Sequence, residues 1–310
     1  MRRGLSHFFE AMFFQPRWYH FGVIFSLLPL SFFYGFGMAL RRFFTPKRQW
    51  GIPIVSIGNL QVGGSGKTPV LIALAKEYEG VCVISRGYGR KSRGLVVVSQ
   101  KGQIEVDVAQ SGDEAMLMAQ ALPQASVIVS ESRQEAIVLA KSQGAKVIFL
   151  DDGFNRVEIA KYELLLRPQK ERNPFVFPAG PLRECWFTRY LADAILKEGR
   201  DFQREVEVHT LGHSRLLLVT AISQPQRLEP YLPKGIVERL YLPDHSYFDV
   251  EAIEHLCERV GATAIVCTSK DRVKMVSFQR PIIEMKLTVK IAPWVDLSIR
   301  NYIEGEQNEK

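Results

Sequence analysis

A glycine-rich segment lies between an apolar run and a helix-prone stretch. Residues 58–69 read Gly-Asn-Leu-Gln-Val-Gly-Gly-Ser-Gly-Lys-Thr-Pro, with the apolar run at 52–57 and the helix-prone stretch at 70–78. Glycines let backbone N–H groups approach an anion without Cβ clashes, and a helix that starts there adds its positive dipole end. The order of strand, glycine-rich turn and helix therefore predicts a P-loop within an α/β fold.

The side chains of this segment suit a nucleotide with its metal ion. Lys67 can reach the β- and γ-phosphates of ATP, and Thr68 can offer its hydroxyl to Mg²⁺. The backbone cradle is formed by Gly63, Gly64, Ser65 and Gly66. The first glycine of the G-x-x-x-x-G-K-[ST] pattern falls on Gln61, so the alternative is a glycine-rich turn with a chance Lys-Thr pair. The strand and helix context favours the P-loop.

An uncharged hydrophobic segment occupies residues 18–40. This run of 23 residues is long enough to cross a bilayer. Trp18 and Tyr19 suit one membrane interface, and Lys or Arg residues at 41, 42, 47 and 48 suit a cytoplasmic headgroup layer. Arginines follow the run instead of a small-residue cleavage site, so we expect the segment to stay attached. The pattern predicts a membrane-associated helix and leaves spanning, interfacial and buried placements open.

Positive charge is concentrated around that segment. The net charge is +7, and residues 1–50 hold seven Lys or Arg residues against Glu10 alone. The remaining chain is therefore nearly neutral, so we expect no nucleic-acid partner. The four cysteines show no C-x-x-C spacing and are expected to be reduced thiols without a chemical role.

Short β-rich runs alternate with helical patterns after the P-loop. The predicted strands are 81–85, 126–130 and 146–150, the helices 113–122 and 132–143, and an inserted hairpin 95–99 with 103–108. This βαβ order predicts a parallel sheet. From about residue 205 the pattern restarts, with strands at 215–222, 236–242, 263–267 and 286–291, a helix at 250–260, and a polar tail at 304–310.

The chain is therefore expected to have three parts. Residues 1–50 form a hydrophobic membrane anchor, residues 51–205 a P-loop three-layer α/β/α domain that binds the nucleotide, and residues 206–310 a smaller α/β domain.

Acidic residues follow two kinds of element. Asp151 and Asp152 end the apolar strand at 146–150, where a Walker-B acid holds Mg²⁺ in P-loop proteins, although Asp-Gly is also a common turn pair. Asp113 opens a predicted helix, and the pattern alone favours helix capping.

His245 follows Asp244 after a strand, where it forms either a turn or half of an acid–base pair. The basic, glycine-containing loop at 85–94 suits phosphate, or is a solvated turn.

These motifs together resemble the tetraacyldisaccharide 4′-kinases, which phosphorylate a membrane-embedded acylated glucosamine disaccharide in lipid A biosynthesis. The matches run in family order over most of the chain: the hydrophobic segment, Ser-Ile-Gly-Asn at 56–59, the P-loop, Ser-Arg-Gly-Tyr at 85–88, Gly-Asp-Glu at 112–114, Asp-Asp-Gly-Phe at 151–154, Pro-Ala-Gly-Pro-Leu-Arg-Glu at 178–184, Pro-Asp-His at 243–245 and Thr-Ser-Lys-Asp at 268–271.

The resemblance implies an ATP-dependent transfer of phosphate to the 4′-hydroxyl of a tetraacyl glucosamine disaccharide 1-phosphate, at the cytoplasmic face of a bacterial inner membrane. It reverses the capping interpretation of Asp113, which becomes the base for the sugar hydroxyl, paired with His245. Lys67 then serves the nucleotide. Further implied residues are Arg133 and Arg183 as anion binders, and Glu184 with Asp151 or Asp152 in the Mg²⁺ shell.

One departure from the family pattern concerns the residues after Asp-Asp-Gly-Phe. The family usually continues with Gln-His, whereas this chain has Asn155 and Arg156, and we hypothesise that Arg156 is a phosphate-facing cation. The alternative function is a membrane-associated ATPase of the partitioning type, which would place a lysine where this chain has Val62. Nothing in the sequence determines acyl-chain number or oligomeric state.

Overall fold

The computed structural model describes residues 2–63, 66–168, 171–210, 212 and 214–308, with side chains from residue 8 onward. The strands are β1 (Ile54–Gly58), β2 (Val81–Ser85), β3 (Val96–Gln100), β4 (Gln103–Ile104), β5 (Ser126–Val129), β6 (Val147–Asp151), β7 (Tyr162–Arg167), β8 (Ala194–Lys197), β9 (Phe202–Glu207), β10 (Leu216–Thr220), β11 (Ile236–Tyr241), β12 (Ala264–Thr268) and β13 (Ile282–Ile291). The helices are α1 (Arg2–Phe14), α2 (Phe21–Phe44), α3 (Lys67–Ala75), α4 (Val108–Ser111), α5 (Asp113–Ala121), α6 (Arg133–Ser142), α7 (Val250–Val260), α8 (Ser269–Arg272) and α9 (Pro293–Asn308).

The chain divides into two compact units, each built from separate stretches of sequence. The first unit comprises Met1–Lys67, Phe149–Phe202 and Ala292–Lys310. Its strands are ordered β6-β1-β7-β8, and β7 runs parallel to both β1 and β8. Strand β1 is buried along its whole length, which agrees with its continuous apolar sequence.

The second unit comprises Thr68–Ile148 and Gln203–Ile291. One group of its strands is ordered β4-β3-β5-β2, with β2 parallel to β5 and β3 antiparallel to it. A separate five-stranded sheet has the order β11-β10-β12-β13-β9, in which β10 is parallel to β11 and β12, and β12 to β13. Helix α7 packs on this sheet through Ile253 and Cys257.

Helix α2 is docked on the first unit along one narrow stripe. Its buried residues are Ile24, Ser31 and Gly35. The Ser31 hydroxyl accepts a hydrogen bond of 2.8 Å from the backbone N–H of Ala179. A Cβ on Gly35 would lie 3.1 Å from the Cys185 sulfur, so the helix backbone approaches closely at this point. The stretch Trp18–Phe44 is long and apolar enough to cross a membrane by length and composition.

The sequence predictions for regular elements are largely confirmed, including the α/β class and the apolar N-terminal helix. The strand at 81–85 and the helix at 250–260 have the predicted bounds. The hairpin is present, but its second strand ends at Ile104 because the Asp107 carboxylate caps helix α4 by accepting a hydrogen bond from the Gln110 N–H. The prediction of a polar tail was wrong for residues 304–308, because these residues continue helix α9 beyond the buried Ile303. The domain limits at 50 and 205 stay a prediction.

Candidate active site

The glycine-rich segment predicted to bind phosphate follows strand β1, and Lys67 opens helix α3. The Lys67 ammonium donates a hydrogen bond of 3.0 Å to the Asn59 side-chain carbonyl. The Asn59 amide in turn donates to the Gln61 carbonyl at 2.8 Å. Gly63 and Gly66 have φ of 89° and 72°, which are conformations that favour glycine. The predicted cradle residues Gly64 and Ser65 lie outside the described part of the chain.

Asp152 lies between two cations of the first unit. Its Oδ1 is 3.4 Å from the Lys67 Nζ, and its Oδ2 accepts a 2.7 Å hydrogen bond from Arg183 Nη1. Burial works to raise the pKa of Asp152, but Lys67 and Arg183 hold it below its ordinary value. Three of the predicted phosphate and metal residues are therefore in direct contact, and the carboxylate is ionised.

The backbone conformation and packing around Asp152 explain why a glycine follows it. Asp152 has φ of 54°, and its N–H donates to the Ile57 carbonyl at 3.0 Å. A Cβ on Gly153 would lie 2.5 Å from the Ser56 hydroxyl, so the end of β6 packs against β1 only without a side chain there. This close approach places the carboxylate beside the segment that follows β1.

Arg183 reaches Asp152 because its own segment pairs with the glycine-rich loop. The Val62 N–H donates to the Pro181 carbonyl at 2.9 Å, and the Arg183 N–H donates to the Leu60 carbonyl at 2.8 Å. Leu60 and Leu182 share a buried apolar cluster with Phe154. The loop and the 181–183 segment are thus joined by backbone bonds and by packing.

Glu184 is held by the last turn of helix α2. Arg42 binds both carboxylate oxygens, with Nε–Oε2 at 2.6 Å and Nη2–Oε1 at 3.0 Å. The Glu184 side chain is 2% exposed. Arg42 also donates to the Phe154 carbonyl at 2.8 Å, and its guanidinium lies 4.4 Å from the Phe154 ring centre. Arg42 therefore ties the hydrophobic helix to the segment that carries Arg183, a role that no local sequence pattern indicates.

The other predicted ligand residues lie at the ends of strands and helices. Asp151 is the buried last residue of β6, and Thr68 is a buried residue in the first turn of α3. Arg133 is buried at the start of α6, where its guanidinium donates to the Ser130 carbonyl. Within the described ranges, no three or more His, Cys, Asp or Glu side chains gather in a group that could hold a metal ion. The ligand roles of Thr68, Asp151, Asp152, Glu184 and Arg133 stay predictions.

Asp113 and His245 meet in the second unit, although 132 positions separate them. The His245 Nδ1 lies 3.0 Å from both Asp113 carboxylate oxygens. Asp113 is buried and its side chain is 4% exposed, whereas His245 keeps 19% exposure. The pair thus has a buried carboxylate and a partly accessible imidazole, an arrangement suited to proton transfer.

Two backbone features bring the pair together. Gly112 has φ of 83°, and a Cβ there would lie 2.8 Å from the Tyr88 carbonyl, so the loop at 85–94 packs directly on the start of α5. His245 itself has φ of 63°, which is uncommon for a residue with a side chain and marks a constrained position. The Tyr88 ring lies 5.2 Å from the imidazole.

Two lysines, one in the Thr-Ser-Lys-Asp motif and one just after it, lie near the Asp113 carboxylate. Lys270 Nζ is 3.8 Å and Lys274 Nζ 3.5 Å from Asp113 Oδ2. Burial would raise the pKa of Asp113, but the His245 hydrogen bond and both lysines hold it below its ordinary value. The pKa of His245 is raised, chiefly by its hydrogen bond to Asp113, against the effect of burial. The sequence showed the motif of Lys270 but not these contacts.

Known proteins resemble this chain over nearly its full length. The family model described as tetraacyldisaccharide-1-P 4′-kinase matches residues 23–304. The tetraacyldisaccharide 4′-kinase of Aliarcobacter butzleri (strain RM4018) is 44% identical, over 97% of this chain and 98% of that protein. That of Helicobacter pylori (strain ATCC 700392 / 26695) is 43% identical, over 96% and 95%.

A solved structure shares the fold. The Aquifex aeolicus LpxK crystal structure, described as an "apo" form in complex with ATP, superposes with a TM-score of 0.75 at 27% identity, covering 91% of this chain and 99% of that chain. Sequence identity, family match and fold thus agree over the region that holds the glycine-rich loop and the Asp113–His245 pair. The chain belongs to the tetraacyldisaccharide-1-P 4′-kinase family.

Proposed function

We propose that this kinase transfers the γ-phosphate of ATP to the 4′-hydroxyl of a tetraacyl glucosamine disaccharide 1-phosphate, with Asp113 as the base. The observation that carries the proposal is the buried Asp113 carboxylate, bound by His245 at 3.0 Å and kept ionised by two lysines. A protein that only bound or hydrolysed nucleotide would not need a separate pair to activate an alcohol. The family match likewise does not favour the partitioning-type ATPase.

The chemistry is a direct transfer with no covalent enzyme intermediate. Asp113 accepts the proton of the sugar hydroxyl as its oxygen bonds to the γ-phosphorus, and the bond from that phosphorus to the bridging oxygen breaks to release ADP. His245 orients the Asp113 carboxylate and shares its proton, because Nδ1 faces both oxygens. Lys67 and Arg183 offset charge on the phosphates.

The donor set fits a nucleotide-borne Mg²⁺. Mg²⁺ commonly binds through one or two carboxylates plus substrate phosphates and waters, and does not require a cage of protein ligands. Asp151, the last residue of β6, and Asp152 after it would supply such carboxylates, and the Thr68 hydroxyl would be a further oxygen ligand. When bound, the ion offsets the charge that develops on the transferred phosphoryl group.

Membrane attachment follows from the two faces of helix α2. The face that contains Ser31 and Gly35 is docked on the first unit, whereas Phe32 and Phe33 are 68% and 69% exposed. A helix docked at its middle on polar backbone cannot be surrounded by lipid across a bilayer. We therefore place α2 in the interface of the inner membrane on the cytoplasmic side, with its phenylalanines toward the acyl chains.

The decisive assay follows radiolabelled γ-phosphate from ATP to an acylated glucosamine disaccharide 1-phosphate in mixed micelles. The wild-type protein should label the lipid. Asp113→Asn keeps the size of the side chain but removes the base, and should lower kcat at least about a hundredfold with little change in the nucleotide KM. Glu251→Gln, an exposed position on α7, is the control.

Two outcomes would contradict the proposal. ATP hydrolysis without lipid labelling would favour an ATPase. Near-normal kcat in Asp113→Asn would remove Asp113 as the base while leaving the nucleotide site intact.

A further inference from the structure

Lys274 is a buried cation beside the candidate base. Its side chain is 2% exposed, and its Nζ lies 3.5 Å from Asp113 Oδ2. The same ammonium donates a hydrogen bond of 3.0 Å to the Ser246 carbonyl and lies 5.0 Å from the centre of the Phe248 ring. Lys274 is therefore placed to act on the reaction through Asp113, which it contacts.

Asp271 fixes the position of Lys274. The Asp271 carboxylate is fully buried, and its Oδ1 lies 3.8 Å from Lys274 Nζ. The hydroxyls of Thr220 and Thr268 donate to Asp271 Oδ2 at 2.6 and 2.7 Å, and the Ala221 N–H donates to Oδ1 at 3.1 Å. Since Thr220 and Thr268 end strands β10 and β12, the position of this carboxylate is set by the sheet.

Lys270 differs from Lys274 in its exposure and in its partners. It is 17% exposed and lies near Asp113, Glu114 and Asp244, with the shortest distance, 3.1 Å, to Asp244. Its positive charge is thus shared among three carboxylates in and beside the Asp113–His245 pair. The carboxylates near Lys274 in the described part of the chain are those of Asp113 and the already hydrogen-bonded Asp271.

The charged and titratable groups around Asp113 lie on several elements. They are His245 and Asp244 after β11, Lys270 and Asp271 on α8, Lys274 after α8, Glu114 on α5, and Tyr247. Burial and the charges of Asp107 and Asp113 raise the pKa of Tyr247. Of the cations in this set, Lys274 is the most deeply buried, so water screens its interaction with Asp113 least.

We propose that Lys274 is a positioning residue for the base: it keeps the Asp113 carboxylate ionised and turned toward His245, while Asp271 holds Lys274 in place. This inference rests on the proposed role of Asp113. It makes the end of the five-stranded sheet part of the apparatus that positions the base.

Removing the charge of Lys274 should change the pH at which the base is active. An opposite charge within about 4–6 Å lowers a carboxyl pKa by roughly 1–3 units. In Lys274→Met the pKa of Asp113 should therefore rise, and the acidic limb of the kcat profile should move to higher pH by roughly one unit, the low end of that range, because His245 and Lys270 lower this pKa more than Lys274 does. The nucleotide KM should stay unchanged.

The test measures kcat against pH for lipid phosphorylation in mixed micelles at saturating ATP. Lys290→Met is the matched control, because that lysine is 72% exposed and pairs with Glu205 on a neighbouring strand. Lys274→Arg retains the charge and should keep the acidic limb near its wild-type position. A fall in kcat by the same factor at every pH in Lys274→Met, with no displaced limb, would overturn the inference.

A second variant guards against misfolding. Lys274→Met leaves Asp271 buried with an unbalanced charge, which is costly. The double variant Asp271→Asn with Lys274→Met removes both charges and should show the same displaced limb. If Asp113→Asn is inactive but both Lys274 variants keep the wild-type profile, only the role of Lys274 fails. If Asp113→Asn is active, the proposed base itself is wrong.

Discussion

Breaking the pair formed by Arg42 and Glu184 should strongly destabilise the first unit. The Glu184 side chain is 2% and the Arg42 side chain 10% exposed, and two hydrogen bonds of 2.6 and 3.0 Å join them. Truncating one partner of a buried ion pair costs about 3–5 kcal/mol, because the other charge stays buried without compensation. We expect Arg42→Met to cost that amount, a large part of the 5–15 kcal/mol that stabilises a typical domain.

The measurement is thermal unfolding followed by circular dichroism in detergent micelles. At roughly 2 °C per kcal/mol for a chain of this size, Arg42→Met should lower Tm by about 6–10 °C. Arg41→Met is the control on the same helix turn: that side chain is 42% exposed, and its nearest carboxylate, on Glu158, is 3.9 Å away. An exposed pair of that kind contributes under about 1 kcal/mol.

The double variant Arg42→Met with Glu184→Leu separates the cost of an unpaired charge from the loss of the contact. Replacing both charges with apolar groups should recover much of the stability lost in either single variant. A loss below about 1 kcal/mol in Arg42→Met would refute the reasoning. A Glu184→Gln variant that keeps its Tm but needs more Mg²⁺ for half-maximal activity would show that Glu184 is a metal ligand.

Three further predictions concern the nucleotide, the membrane and pH. Asp152→Asn should lower kcat and raise the Mg²⁺ concentration for half-maximal rate, measured by initial rates; an unchanged Mg²⁺ dependence would exclude a metal role. The double variant Phe32→Ser with Phe36→Ser should weaken binding to anionic vesicles by tenfold or more in flotation assays. Each phenylalanine that is fully buried in lipid contributes about 1.5–3 kcal/mol to the binding free energy. Equal binding of the variant and the wild type would contradict the interfacial placement. The Asp113–His245 pair should stabilise the protein most between pH 3.8 and 6.5, the ordinary pKa values of the two groups. The Asp113 contribution is lost as pH falls below 3.8 and through its lowered folded pKa, and the His245 contribution is lost as pH rises above 6.5 and through its raised folded pKa. The difference in unfolding free energy between wild type and His245→Gln, measured by urea unfolding across pH, should therefore narrow on both sides of this window.

Elements with a strong local pattern could be predicted from the sequence, and one strand shows why others could not. Strand β2 and helix α7 are continuous apolar or amphipathic runs. Strand β7 begins with Tyr162 and Glu163, and a charged residue in a buried strand hides the pattern. Glu163 is accommodated because the Lys161 ammonium lies 2.7 Å from its carboxylate. Burial raises the pKa of Glu163, and Lys161 offsets part of that effect.

The candidate site was predictable where a family motif marked it. The P-loop, Asp113, Asp152, Arg183 and His245 were identified in this way, and the structure brings them into two groups of contacting residues. Arg42 and Lys274 make contacts that depend on the folded chain, so their spacing carried no signal. The contact between Arg42 and Glu184, for example, joins residues 142 positions apart.

The docking of helix α2 changes how its function must be tested. The helix presents phenylalanines to the outside, but its buried Ser31 and Gly35 and its final Arg42 belong to the packing of the first unit. Arg42 holds Glu184, whose neighbour Arg183 binds Asp152 beside Lys67. Deleting the helix would therefore remove the proposed membrane contact and disturb the predicted phosphate site together, and a loss of activity could not be assigned to either. Substitutions confined to the exposed phenylalanines separate the two, because they leave the buried stripe and Arg42 in place.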